Sequence, residues 1–284
     1  MKKILKKSAA ALAALTLTAA LAGCGSSASS AATSTDTTAS TAETSGENKL
    51  EKVKAAGKVV IGVEGTYPPF TYHDDNGELT GLDVELGKAL AEKLGVEVEF
   101  QEAAWDSLLI GIDTGRFDTV INSVSITDER AEKYDFSTPY AFNRTAVITK
   151  ADDDSINTLE DLKGKKTANT ISSTYAELAE QYGATVTGVD DLNQTFELLL
   201  SGRIDATLNA EMTFYDYTKE HPDANVKIAV LTDDANRIAI PMRKGDETAT
   251  LRTAIDAAID ELRADGTLKA LSEKYFGRDI STEE

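Results

Sequence analysis

The stretch TGRFDTVIN, residues 114–122, returns as SGRIDATLN at residues 201–209. In each copy an apolar helical face ends at a glycine, the residue that takes the left-handed conformation of a helix stop at least cost. Arginine and aspartate follow in the turn, and an apolar strand then runs to asparagine. A chain that writes a helix-to-strand junction twice is constrained to an α/β fold with at least two such units.

The flanking segments agree. KVVIGV (58–63) is a continuous β-branched run, as expected of a strand buried on both faces. From Asp83 the apolar positions Leu86, Ala89, Leu90 and Leu94 keep helical spacing, with acids in the first turn and Gly95 as the stop. VEVEF (96–100) alternates, so Val96, Val98 and Phe100 share a face and the order is β-α-β. The next helix is expected to be capped by Asp106, to run through Leu109 and Ile112 and to stop at Gly115. Around the second copy, KKTANT (165–170) predicts a strand and Thr174-Tyr175-Ala176-Glu177 a capping box opening a helix. Phe196, Leu199 and Leu200 form the face of the helix that Gly202 stops. Near the C-terminus, Leu251, Ile255, Ile259 and Leu262 make one stripe from Thr248 to Arg263, and a shorter helix follows Gly266.

The N-terminus has a different grammar. MKKILKK is basic and leads into SAAALAALTLTAALAG, an apolar run without charge that stops at Cys24, which is the pattern of an export signal. Leu21-Ala22-Gly23-Cys24 resembles a bacterial lipoprotein processing site, which implies a signal peptide over residues 1–23 and a lipid, such as palmitate, on Cys24. Cys24 is the single cysteine, so the exported domain is expected to hold together by its core without an internal disulfide. Residues 24–48 are rich in Ser, Thr, Ala and Gly, hold no aromatic or large aliphatic side chain and predict a flexible tether. The folded part is expected from Lys49 onward. A formal charge of −19 makes nucleic acid an unsuitable partner.

Catalytic and cofactor motifs are missing. His73 and His221 lie far apart without cysteines or spaced acids to complete a metal site, and GKKT (164–167) lacks the earlier glycine of a phosphate loop. No cofactor or metal is expected. What the sequence does offer suits a small zwitterion. Each repeated phrase ends at the carboxyl end of a strand, where open α/β sheets bind ligands, so Asn122–Ser125 and Asn209–Glu211 are expected to meet across a cleft. In EGTYPPF (64–70), glycine and two prolines fix a loop that presents Tyr67, and Trp105 stands just before a helix, so the two aromatics can sandwich a side chain. NSVSITDER (122–130) combines hydroxyls with Arg130, whose fork matches a carboxylate; Arg130 reads equally well as a surface partner of Asp128 or Glu132. Thr174 is expected to cap a helix whose free N–H groups attract an anion, and Glu64 and Glu211 are acceptors for an ammonium group.

Taken together, EGTYPPFTYHDDNGELTGLDVELGKALAEKLG, WDSLLIGIDTGRFD, SITDERAEKYDFSTPY, LEDLKGKK and ELRADGTLKALSEKYFG resemble the polar amino acid-binding proteins of bacterial ABC importers, over nearly all of residues 55–277. The resemblance implies a two-lobed periplasmic-binding fold of the second type, with lobe 1 at 49–142 plus 239–284, lobe 2 at 143–238 and a two-segment hinge. It implies an extracytoplasmic, lipid-anchored monomer that delivers its ligand to a membrane permease driven by a cytoplasmic ATPase. By the same resemblance Tyr67 and Trp105 clamp the ligand, while Asn122, Ser123 and Ser125 line the first strand end and the two serines meet the α-amino group. Arg130 holds the carboxylate with backbone help at Ser173 and Thr174, Glu64 reads the side chain, and Asn209 lies at the second strand end. The family commonly has Asp after the second phrase to hold the ammonium; here Ala210 stands there and Glu211 follows. SSTYAELAEQYGA and TLNAEMTFYDY look most like the cystine-binding branch, where Tyr175 also lines the cleft; glutamine is an alternative ligand. A few dehydratases resemble the same fold, which leaves a cleft enzyme using Glu64, Glu211 or His73 as the competing expectation.

Overall fold

The computed structural model describes residues 48–283, so the expected signal, most of the tether and Cys24 lie outside the described residues. Helix α1 (Lys49–Ala56) precedes strand β1 (Lys58–Val63), the short strands β2 (Thr66–Tyr67), β3 (Thr71–His73) and β4 (Leu79–Thr80), and helix α2 (Leu82–Leu94). Then come β5 (Glu97–Glu102), α3 (Trp105–Asp113), β6 (Thr119–Val120), α4 (Asp128–Lys133) and β7 (Tyr134–Phe136). The middle of the chain holds β8 (Ala141–Asn143), β9 (Thr145–Lys150), a 3-10 turn (Leu159–Leu162), β10 (Lys166–Asn169), α5 (Thr174–Gln181), β11 (Thr185–Gly188), α6 (Leu192–Leu200), β12 (Thr207–Ala210), α7 (Glu211–Glu220) and β13 (Val226–Leu231). β14 (Asn236–Ile238), β15 (Pro241–Arg243), α8 (Asp246–Ala264) and α9 (Thr267–Phe276) complete it.

The strands fall into two α/β lobes. In the first, β5, β1 and β6 run parallel with β1 central, and α2 and α8 bury Leu86, Leu90, Leu251, Ile255 and Ile259 in the core above it. In the second, β10 pairs parallel with β11 and touches the β12 side through a parallel bridge between Thr167 and Ala206, while β9 pairs antiparallel with both β12 and β13. Phe196 and Leu199 pack there, but Leu200 is 39% exposed: the buried stripe of α6 is Leu192, Thr195, Phe196 and Leu199, and Leu200 lies beyond its edge. Antiparallel strands β8 and β14 run side by side where the chain leaves the first sheet system and where it returns.

The repeated phrase now has a structural cause. Gly115 (φ 74°) and Gly202 (φ 70°) both take the left-handed stop. Asp118 then accepts a hydrogen bond from the Val60 N–H at 2.7 Å, and Asp205 accepts one from the Lys166 N–H at 2.8 Å. Each aspartate also donates its own N–H back to the carbonyl of that same residue. In both lobes, therefore, the phrase stitches an incoming strand to its parallel neighbour, β6 to β1 and β12 to β10, before the ladder is long enough to hold itself. The apolar residue between Arg and Asp, Phe117 or Ile204, is buried in the respective core. Phe117 lies against Gly62 and Gly111, where any side chain would meet its ring.

Two helix starts differ from expectation. Trp105 is the first residue of α3, and Ala104 ahead of it has no side-chain acceptor to cap it; Asp106 lies inside the helix and accepts from the Ser172 hydroxyl. Ser173, not Thr174, caps α5 by accepting from the Ala176 N–H at 3.1 Å, which makes Thr174 the first helical residue. Among the described residues no helix is long and apolar enough to cross a membrane.

Candidate functional site

The carboxyl ends of β1, β6, β10 and β12 converge on one hollow, which measures about 560 Å³ out to its solvent mouth. From the first lobe it is lined by Glu64, Tyr67, Trp105, Asn122, Ser123, Ser125 and Arg130. Ser173, Thr174, Tyr175 and Asn209 line it from the second. The structure thus brings together all of the residues singled out in the sequence as ligand contacts except Glu211.

Asn122, at the end of the first phrase, organises the strand ends. Its Oδ1 accepts from the Glu64 N–H and from the Thr71 hydroxyl, both at 2.8 Å, and its Nδ2 donates to Glu64 Oε2 at 3.0 Å. Burial raises the Glu64 carboxyl to about 7, against the opposing pull of the Asn122 bond. The next residue, Ser123, is held at φ 49°, a region that costs a non-glycine residue about 1 kcal/mol. Asp83 supplies the restraint: its carboxylate accepts from the Ser123 N–H at 2.6 Å and from the Tyr140 hydroxyl at 2.8 Å. Full burial lifts Asp83 to about 7. The result of this strain is a Ser123 Oγ that is buried in the hollow without a protein partner.

Arg130 is 8% exposed. Its Nη1 donates to the Ser125 carbonyl at 3.1 Å and its Nη2 to the Ser172 carbonyl of the opposite lobe at 3.2 Å, with the guanidinium 5.3 Å from the Trp105 ring centre. The alternative surface pairing with Asp128 or Glu132 is therefore not formed; the head turns inward to two backbone carbonyls. Burial without a counter-ion lowers its pKa. The N-terminus of α5 opens beside it, so a cation and unsatisfied helix N–H groups face the same space.

Further bonds cross between the lobes. The Tyr67 hydroxyl donates to Asn209 Oδ1 at 2.9 Å and lies 3.5 Å from the Tyr175 hydroxyl. At the rim, the Ser172 hydroxyl donates to Asp106 Oδ1 at 2.7 Å.

Glu211 does not belong to this group. It opens α7 at 2% exposure, and its Oε1 pairs with Arg278 Nη2 at 2.5 Å and Arg144 Nε at 3.5 Å, on a separate hollow beside β8. The physical reason is the strand-to-helix turn. Along β12, Asn209 faces the ligand hollow and Ala210 the core, and the helix that begins at Glu211 swings its carboxylate toward the two arginines that neutralise it. Four lining residues escaped the sequence reading: Asn169, Thr170, Leu192 and Thr195. The strand-end rule applied to the phrases, extended to KKTANT, would have found Asn169 and Thr170. Leu192 and Thr195 carry no such signal, because they also belong to the apolar stripe of α6.

Two α/β lobes that close on a polar hollow holding one buried guanidinium and one buried carboxyl define a solute-binding protein of the two-lobed extracytoplasmic kind. The chain belongs to the bacterial extracellular solute-binding proteins, family 3, whose family model matches residues 59–278. It is 41% identical to the L-cystine-binding protein TcyA of Bacillus subtilis over 230 residues, 81% of this chain and 85% of that protein. Among solved structures it resembles the L-cystine solute receptor of Neisseria gonorrhoeae in its unliganded open conformation, at 43% identity, covering 83% of this chain and 99% of that one, with a TM-score of 0.57. An ancestral arginine-binding protein bound to arginine is 39% identical, covers 78% of this chain and 99% of its own, and superposes with a TM-score of 0.73. Its relatives are transport-binding proteins of amino acids.

Proposed function

We propose that this protein captures a polar α-amino acid, L-cystine in the first instance, between its lobes and hands it to the permease of an ABC importer. The observation that carries the reading is Arg130. A guanidinium withdrawn from water without a carboxylate partner is costly, and a ligand carboxylate bound through two parallel charge-assisted hydrogen bonds offsets that cost. Tyr67 and Trp105 cover the ligand's body, Ser123, Ser125, Asn122 and Glu64 receive its amino groups and polar side chain, and Ser173, Thr174 and Tyr175 close over it with Asn209 from the second lobe. The comparison structures support the same reading. The more identical relative is open and superposes less well than the arginine-bound one, as expected if the lobes here stand in the closed arrangement.

In this reading lobe 1 comprises residues 49–142 and 239–284, lobe 2 residues 143–238, and the β8–β14 pair is the hinge. The chain works outside the cytoplasm as a monomer. It is cleaved before Cys24 and anchored there by lipid, with residues 25–48 as the tether between membrane and domain. Calorimetry tests the assignment: L-cystine binds tightly, L-arginine and L-glutamine less so, and Arg130→Ala loses most of the affinity for each, about 2–5 kcal/mol for a buried charge partner. Unchanged binding by Arg130→Ala refutes the carboxylate role. Incorporation of labelled palmitate that vanishes in Cys24→Ser tests the anchor.

A further inference from the structure

Asn169 is the last residue of β10, is 2% exposed and lines the ligand hollow. Its Nδ2 donates to the Leu208 carbonyl on β12 at 2.6 Å. That bond fixes which way the amide faces, since the flipped amide would set two carbonyl oxygens against each other. Asn169 Oδ1 is left buried without a hydrogen-bond partner. A carbonyl in that condition costs stability unless something donates to it, and it can only accept.

The second lobe lines the hollow with no acid. Its other acceptors are largely taken: Asn209 Oδ1 receives the Tyr67 hydroxyl and the Ala210 N–H, and Ser173 Oγ receives the Ala176 N–H. Of the acids next to lining residues, Glu211 is neutralised by Arg278 and Arg144, and Asp191 caps α6 by accepting from the Gln194 N–H. We propose that Asn169 is a ligand-binding residue whose Oδ1 accepts a hydrogen bond from an ammonium group of the bound amino acid. An ammonium has three N–H bonds to place. Ser123 Oγ and the Glu64 carboxylate offer acceptors on the facing wall, so a group shared with Asn169 ties the two lobes together. This inference rests on the amino acid-binding reading above.

The test compares Asn169→Leu with Asn169→Asp in the full chain by calorimetry with L-cystine. Leucine keeps the volume and removes the acceptor; aspartate keeps an oxygen in the hollow and gives up the amide donor to Leu208. The expected result is at least about a tenfold loss of affinity in Asn169→Leu, with Asn169→Asp equal to the parent or tighter. Asn169→Ala replaces the leucine variant should that chain not fold. Equal affinity of Asn169→Leu and the parent overturns the proposal. So does an equal loss in both variants, which would make the residue a brace for β12 through Leu208. S-methyl-L-cysteine, which has a single ammonium, separates the sources: an equal loss places Asn169 on the head group, and a spared affinity places it on the second ammonium of L-cystine. A parent protein that binds neither compound sinks the amino acid reading instead and is distinguished from the outcomes above.

Discussion

Ser172→Ala removes a hydrogen bond that forms only while the lobes touch. Ser172 lies in the loop between β10 and α5, held at φ 61°, and both its polar groups reach across the cleft: the hydroxyl to Asp106 Oδ1 at 2.7 Å and the carbonyl to Arg130 Nη2 at 3.2 Å. A hydrogen bond to a charged group contributes about 1.5–3 kcal/mol. Ser172 is exposed, so competition from water reduces the figure to about 1 kcal/mol. That corresponds to about a fivefold shift in the balance between shut and open forms. Because the contact is made after capture, the loss falls on release. Trp105, the single tryptophan, adjoins Arg130 and reports closure by its fluorescence. Stopped-flow mixing with L-cystine is expected to show the release rate rising about fivefold in Ser172→Ala, with the association rate changed by less than about twofold. Ser172→Gly loses the same bond but relieves the left-handed backbone, so its release also quickens while its thermal stability exceeds that of Ser172→Ala. An unchanged release rate in both variants, or a loss confined to association, refutes the idea that this serine latches the cleft.

Other consequences follow from the same contacts. The Glu64 carboxyl is raised by burial to about 7, above its ordinary value of 4.5, so ionising it in the free protein is unfavourable and a ligand ammonium must draw the proton off. Affinity for L-cystine is therefore expected to fall as pH drops below about 7, with proton release on binding near neutral pH seen as buffer-dependent heats, and Glu64→Gln removes that release. Taken alone, the Glu64 shift makes the free fold lose stability as pH rises from about 4.5 to about 7, the range where the unfolded chain has already given up the proton. Glu211→Gln leaves Arg278 and Arg144 without their buried carboxylate; a lowered melting temperature with L-cystine affinity within about threefold of the parent is expected, and a large affinity loss at unchanged stability would return Glu211 to the ligand. Gly111→Ala drives a methyl group into the Phe117 ring and is expected to cost about 1–3 kcal/mol in denaturant unfolding; an unperturbed midpoint counts against that packing.

The alternation of strands and helices and the position of the cleft were legible because they rest on short-range rules; the strand orders were not, since they depend on pairings such as β9 with β12 and β13. A glycine stop, an aspartate that bonds the neighbouring strand and an apolar run fix each junction locally, and the strand-end rule then says where to look. What was not legible depends on which neighbour wins a polar group. Asp106 reads as a helix cap, yet it bonds Ser172 from the other lobe, and Ser173 takes the cap expected of Thr174. Glu211 reads as an acceptor at a strand end, yet Arg278, distant in sequence, claims it. Pattern within one segment cannot report a competitor that arrives from another.

The charges of the hollow also bear on what fits it. Arg130 and Glu64, both from the first lobe, are the basic and acidic side chains lining it, and the second lobe adds dipoles: the opening turn of α5 toward an anion and the Asn169 carbonyl toward a cation. With Glu64 ionised, these sum to a neutral lining with one place for a carboxylate, at Arg130 and the opening turn of α5, and one for an ammonium, between Glu64, Ser123 and Asn169. In the amino acid-binding reading, one α-amino acid head group, with its carboxylate and its ammonium, meets both full charges without leaving one on the protein unpaired. A carboxylate that brings no ammonium satisfies Arg130 and leaves Glu64 buried and ionised or forces it to keep its proton, a cost that sets selectivity against it. A ligand without an ammonium is therefore expected to bind without the pH dependence that Glu64 brings and without a loss in Asn169→Leu, which calorimetry with a simple carboxylic acid checks.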